Sequence, residues 1–228
     1  MNEHPKYNIF PLGENALTIS FGNTISPEIN SIAASLSRRI ESSPFHGFIE
    51  CLPAYSSVSV FFDSLKVKDR FRTALTAYQI AKSHVEIALD GLEISAPEDS
   101  REIEIPVSFD KKDAPDLSFV AEFAELSEDN VVQIFLSQTY KVYVLGFLPG
   151  FAYMGEVDPR IVVPRKETPR KEVKKGSVGI AGNQTGIYPL DSPGGWQIIG
   201  KTETVLFTPH EDPPVLFSPG DTVKFVKI

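Results

Sequence analysis

The residues of this chain best suited to holding charge are Arg165, Lys166, Arg170, Lys171, Lys174 and Lys175. Guanidinium groups grip a carboxylate or phosphate through two parallel N–H donors, and ammonium groups add point charges. Val163-Pro164 and Thr168-Pro169 keep the stretch extended, because a residue before proline avoids the helical region. Seven cations stand against two acids between Arg160 and Gly176, while residues 96–159 carry four cations against thirteen acids. The stretch is read as a grip for an anionic substrate, ATP or an acidic partner. A solvated surface loop is the bland alternative.

A glycine-rich run follows, Gly176-Ser177-Val178-Gly179-Ile180-Ala181-Gly182-Asn183-Gln184-Thr185-Gly186-Ile187-Tyr188-Pro189. Ten of the 15 glycines lie between Gly146 and Gly200, which places the functional part of the chain there. Closely spaced glycines let backbone approach backbone or ligand. Gln184, Thr185 and Tyr188 offer donors and acceptors to an amide or carboxylate. Against this stands a reading in which the glycines turn barrel corners and the polar groups satisfy turns. Phe147, Leu148, Phe151, Tyr153 and Met154 occupy a loop set by Pro149 and Gly150. They form an apolar pocket or partner surface, or a buried cluster closing a barrel end.

Gly195-Trp196-Gln197-Ile198-Ile199-Gly200-Lys201-Thr202 matches the phosphate-loop pattern letter for letter. A phosphate cradle needs a strand before the run and a helix after it. Here a Pro/Gly turn precedes and the strand-like Glu203–Pro209 follows, so no nucleotide cradle is expected. His4, His46, His84 and His210 are scattered without metal-ligand spacing, and no metal site is expected. Cys51, the lone cysteine, excludes an intramolecular disulfide and suits a small core residue in a reducing cytosol.

These residues need elements to position them. The 42% hydrophobic and 23% charged composition is ordinary globular. The net charge of −8 argues against nucleic-acid binding. No window reaches the roughly 18 apolar residues of a membrane helix, and no signal-peptide pattern opens the chain. Tyr7–Phe10 and residues 15–21 read as strands. Ser26-Pro27 starts a helix carrying Ile29, Ile32, Ala33, Leu36 and Ile40 on one stripe. Gly47–Pro53 and Val58–Phe62 read as strands, and Val67, Phe71, Leu75 and Tyr78 as one second helix. The expected first domain, residues 1–92, is α+β in the order ββαββα over an antiparallel sheet.

Residues 90–100 read as a linker, and 93–228 as the second domain. A strand at Ile103–Val107 precedes two short helices capped by Asp116 and Ser127, with a staple between Leu126 and Val131. Tyr140–Phe147 is an apolar strand. Short pieces at Ile161–Val163, Ser177–Ile180, Trp196–Ile199, Thr204–Phe207 and Val223–Val226, broken by Gly and Pro, predict a closed or nearly closed β-barrel.

From Tyr143 onward the chain reads VYVLGFLPGFAYMGEVDPR, VPRKETPR, GSVGIAGNQTGIYPLDSPGGWQIIGKT and PPVLFSPGDTVKFV. This pattern resembles the KipI / allophanate hydrolase subunit 1 family, densely over residues 140–228 and mainly in element order before that. The resemblance implies an α+β N-terminal domain followed by a cyclophilin-like β-barrel. It implies a non-autonomous, cytoplasmic subunit of an ATP-dependent 5-oxoprolinase that opens 5-oxoproline to L-glutamate. The implied partners are a larger homologous component, C, and a TIM-barrel-like component, A, with ATP used at the level of the complex. On that reading Gln184, Thr185, Tyr188 and Ser192 line a polar cleft, and Arg165 and Arg170 hold a carboxylate or phosphate. Phe151, Tyr153, Trp196 and Lys201 would form the partner interface.

The chain departs from the family pattern in three places. Ala152 stands where Pro is common, Lys201 where Arg is more usual, and Phe135 where a His is expected. A second implied role is inhibition of a sensor histidine kinase by docking the barrel on its dimerisation helices. Prolyl isomerisation, suggested only by the barrel type, ranks last because no matching Arg/Phe/His constellation is found.

Overall fold

A computed structural model describes residues 6–24, 26–70, 74–94 and 100–228. The chain divides into two compact units, Met1–Ala96 and Pro97–Ile228. In the first unit, alternation makes the strands. Val58, Val60 and Phe62 turn inward from β4 (Ser57–Phe62) and are fully buried. This strand pairs antiparallel with β2 (Ala16–Ser20) and β3 (Phe48–Pro53), and β1 (Asn8–Pro11) completes the order β1-β2-β4-β3.

Helix α1 (Pro27–Ser42) starts as its residues dictate. The Ser26 hydroxyl accepts the Ile29 N–H at 3.2 Å, and Pro27 occupies the first turn, where no N–H is needed. Ile32, Ala33, Leu36 and Ile40 then bury one stripe.

The single second helix expected through Val67 and Tyr78 is instead two, α2 (Ser64–Arg70) and α3 (Ala77–Leu89). Thr76 starts the new one. Its hydroxyl accepts the Gln79 N–H while the Gln79 side chain accepts the Thr76 N–H. A reciprocal cap of this kind outweighs apolar spacing in deciding where a helix begins. Phe71 lies outside the described residues. The observed order is ββαββαα.

The second unit runs β5 (Glu102–Val107), α4 (Leu117–Phe123), α5 (Glu128–Ser137), β6 (Thr139–Leu145), β7 (Ala152–Gly155) and a 3-10 turn at Pro159–Ile161. It continues through β8 (Arg170–Val173), β9 (Ser177–Ala181), β10 (Gln184–Ile187), β11 (Ser192–Gly194), β12 (Gln197–Lys201) and β13 (Thr222–Lys227). Seven strands form one mixed sheet in the order β12-β9-β10-β7-β6-β13-β5. Only the β13–β5 pairing in it is parallel.

The two ends of this sheet meet. Ser108, just past β5, exchanges hydrogen bonds with Lys201 of β12 at 2.8 and 2.9 Å. The sheet is thus nearly closed into a barrel, and closure removes exposed edges.

Ser127 caps α5 through the Asn130 N–H, as expected. Asp116 does not cap α4; its carboxylate is engaged elsewhere. Two expected strands are absent. Ile161 ends the 3-10 turn, which Asp158 caps through the Arg160 N–H, and Val163 makes only a bridge to Gly182. Near Thr204–Phe207 only Phe207 bridges, to Val215, and the Pro213-Pro214 pair limits the donors available for a ladder. Phe135 is fully buried, its ring 4.8 Å from Phe225 and 5.1 Å from Tyr140. Ala152 is likewise buried on β7.

Gly176 holds a tight junction. It has φ +83°, and an added Cβ would overlap the Thr202 carbonyl oxygen. Gly182 has φ +61° with open space around it. Gly176→Ala is therefore expected to cost roughly 3 kcal/mol or more, combining strain with a backbone clash. Gly182→Ala should cost only about 1–2 kcal/mol from strain alone. Paired thermal melts check both, and similar losses for the two would refute the clash.

Candidate functional site

The candidate site is an aromatic cleft on the second unit. A tight loop creates it. Gly146 N–H donates to the Phe151 carbonyl at 3.1 Å, and Phe151 N–H donates to Leu148 O at 3.0 Å. Phe147 takes φ +70° inside that loop, which an aromatic residue adopts only under constraint. Its ring is presented edge-on to Phe151 at 5.5 Å and Tyr188 at 6.4 Å. Phe151 in turn meets Tyr153 at 4.8 Å, Tyr188 at 5.4 Å and Trp196 at 5.5 Å. Edge-to-face contacts suit the ring quadrupoles and lock the cluster.

The cleft encloses about 250 Å³, closed by Arg165, Lys166 and Pro169 on one side and by Pro193–Gly195 on another. The Arg165 guanidinium carbon lies 5.9 Å from the Trp196 ring centroid, within cation–π range. Arg165 forms no ion pair among the described residues. Burial raises the phenols of Tyr153 and Tyr188, so both are neutral near pH 7 and act as walls and weak donors.

Asp116 organises the cationic side. Its Oδ1 accepts Arg170 Nη2 at 2.5 Å and Lys166 Nζ at 3.1 Å, and its Oδ2 accepts the Ile198 N–H at 2.7 Å. The Asp116 N–H donates to the Ile198 carbonyl at 2.9 Å, so both polar groups of Ile198 are satisfied by one residue. Burial pushes this carboxyl upward. The Arg170, Ile198 and Lys166 donors outweigh it and hold it below the usual carboxylate range.

The expected substrate and interface residues do not fall into two groups. Arg165 and Tyr188 line the same cleft as Phe151, Tyr153 and Trp196. Phe151 and Trp196 are 1% and 5% exposed and so serve as cleft floor rather than open surface. Arg170 is turned to Asp116 and borders a neighbouring cleft of about 320 Å³ with Lys112, Lys174 and Lys201. Thr185 is fully buried, its hydroxyl donating to Gly179 O at 2.9 Å. Gln184 opens β10 and Ser192 opens β11; neither lines the aromatic cleft. The buried Ser192 hydroxyl has no partner among the described residues.

The phosphate-loop letters run through β12. Its Ile198 amide is bound by Asp116, its Lys201 amide by Ser108 and the following Thr202 amide by Gly176. Lys201 Nζ pairs with Glu203 at 2.7 Å. These groups do not fit a nucleotide phosphate. Among the described residues, no group of three or more His, Cys, Asp or Glu could hold a metal ion. Asp116 is the residue that sequence reasoning misplaces. It lies 50 and 54 positions from the cations it binds, beyond any local spacing signal.

Asp116→Asn is expected to lower stability by about 2–3 kcal/mol at pH 6, since two partly buried cations lose their charge partner. Because the folded pKa is depressed, this stabilisation is complete above the unfolded value near 3.8 and is lost as pH falls through the folded one. Urea titrations across pH should show the gap between wild type and variant narrowing below about pH 4. A gap independent of pH would refute the assignment.

Residues 7–217 match the family described as carboxyltransferase domain, subdomain C and D. The chain is 43% identical over 224 residues to the B subunit of 5-oxoprolinase from Bacillus subtilis (strain 168), spanning 98% of this chain and 93% of that protein. The crystal structure of TTHA0988 shares 34% identity with a TM-score of 0.78, covering 93% of this chain and 40% of that one. The K. lactis urea amidolyase shares the fold, with a TM-score of 0.78 at 21% identity, over 98% of this chain and 15% of its own. This chain belongs to the carboxyltransferase domain family of subdomains C and D.

Proposed function

We propose that this chain is the non-autonomous B-type subunit of an ATP-dependent 5-oxoprolinase, opening 5-oxoproline to L-glutamate beside a larger C-type and a TIM-barrel-like A-type partner. The end-to-end identity to the B subunit of a 5-oxoprolinase carries the assignment. The aromatic cleft supports the non-autonomous part. Its described lining contains no carboxylate, imidazole, thiol or serine hydroxyl. Of its remaining polar groups, Lys166 is paired with Asp116 and Tyr153 and Tyr188 are neutral near pH 7, an arrangement read as binding and orienting a substrate whose hydrolysis is completed with a partner. Relatives in which the matching region is part of a much longer chain support a division of labour with a larger partner. The nearly closed sheet is read as the cyclophilin-like barrel of such proteins.

The ligand chemistry follows from the walls. 5-Oxoproline is a flat lactam bearing one carboxylate. Arg165 supplies paired donors for that carboxylate, and Trp196, Tyr153 and Phe147 supply apolar faces for the ring. The lactam is a resonance-stabilised amide, so its opening needs the carbonyl oxygen turned into a leaving group by phosphoryl transfer. Nothing described on this chain fits the nucleotide, and no step involving ATP is placed on it. This chain's part is to hold the ring and orient it.

Mixing the three purified proteins of the complex with ATP and 5-oxoproline, and measuring glutamate, tests the proposal. Omission of this chain should abolish turnover; undiminished turnover would overturn the reading. Arg165→Ala should raise KM for 5-oxoproline about 10–100-fold with a smaller change in kcat, as expected for loss of a charged hydrogen bond to bound substrate.

A further inference from the structure

The segment Pro164–Pro169 that walls the cleft has little of its own to hold it. It forms no strand. Two hydrogen bonds tie it to the residues around Trp196: Lys166 N–H to Gly195 O at 2.8 Å, and Gln197 Nε2 to Pro164 O at 3.1 Å. Its side chains are mostly solvent-facing. The strong tie is electrostatic. Lys166 inside the segment and Arg170 at its end both converge on one Asp116 oxygen, and Asp116 is 4% exposed. The other Asp116 oxygen is fixed to the backbone of β12, two residues past Trp196. Arg170 also reaches the Trp196 carbonyl, at 3.4 Å.

We propose that Asp116 is a positioning residue that latches the Pro164–Arg170 strap onto β12 and so sets Arg165 over Trp196. The latch has a second effect, on charge. It neutralises part of the cationic charge of Lys166 and Arg170 and leaves Arg165 as the strap's cation without a carboxylate among the described residues. The cleft is thereby tuned to a ligand bearing one carboxylate. With the latch broken, three cations become available, and dianions such as inorganic phosphate should compete better. The ligand part of this inference rests on the 5-oxoprolinase reading; the latch itself does not.

Trp196 is the sole tryptophan, so its fluorescence reports on the strap without any substrate. In the isolated full-length chain, Asp116→Asn should red-shift Trp196 emission and raise its quenching by acrylamide, with far-UV circular dichroism unchanged. Unchanged quenching in a folded variant overturns the latch. If Asp116→Asn does not fold, Lys166→Met and Arg170→Met decide by the same readout, and wild-type quenching in both overturns it.

In the reconstituted complex, Asp116→Asn should raise KM for 5-oxoproline about tenfold, because a displaced Arg165 no longer meets the carboxylate. In an Arg165→Ala background the same change should add less than about twofold, and inorganic phosphate should inhibit Asp116→Asn more than wild type. Additive effects of the two substitutions overturn positioning through Arg165. A complex that turns over without this chain overturns the proposed function, while the fluorescence result still decides the latch.

Discussion

A single buried carboxylate, that of Asp116, joins the parts of the second unit that matter. Removing a carboxylate from water costs several kcal/mol unless its oxygens are well satisfied. Here three donors satisfy it, and they serve two purposes. Ile198 uses it to complete the outer edge of β12, and Arg170 and Lys166 use it to fasten a strap whose residues Pro164–Pro169 form no strand. Slightly earlier in the chain, Ser108 acts on the same strand. It pairs with Lys201 and brings the two ends of the seven-stranded sheet together. Sheet closure and cleft wall therefore meet on β12.

The cleft divides its work by chemistry. Its floor is a lattice of edge-to-face rings centred on Phe151, which is buried. Arg165 on its cationic rim is exposed, its guanidinium carbon 5.9 Å from the Trp196 ring centroid. A guanidinium at cation–π distance from an indole, without an ion pair among the described residues, has donors for a carboxylate. Apolar walls beneath it lower the local dielectric and strengthen that contact relative to open water. The described lining holds no carboxylate, imidazole or thiol, so its chemistry is that of aromatic faces beside cations.

Much of the architecture is legible in the sequence because it is local. Ser26-Pro27 and Ser127 start helices through hydrogen bonds spanning three residues, and period-two alternation marks β2, β4 and β5. The phosphate-loop letters fail for an equally local reason: their flanks read as turn and strand. The misreadings have a common origin in competition. Thr76 and Gln79 form a reciprocal cap that breaks an apolar stripe continuing past it. Asp116 has the residue type of a helix cap but meets stronger, charged donors first. The Ile161–Val163 stretch is apolar enough for a strand, yet Asp158 and Pro159 fix a 3-10 turn before one can form.

The sequence by itself determined the two-part α+β and β organisation, the family and the residue types of the site. Glycine spacing, caps and alternation act within a few residues and are written along the chain. Only the tertiary structure decided the groupings. It merged Arg165 and Tyr188 with Phe151, Tyr153 and Trp196 into one cleft, buried Thr185 against Gly179, and separated Gln184 and Ser192 from the cleft. It also gave Asp116 its partners, more than 80 residues away at Ile198 and about 50 away in the strap. Charge pairing and ring packing depend on through-space distance, which is fixed when the sheet closes and not by position in the chain.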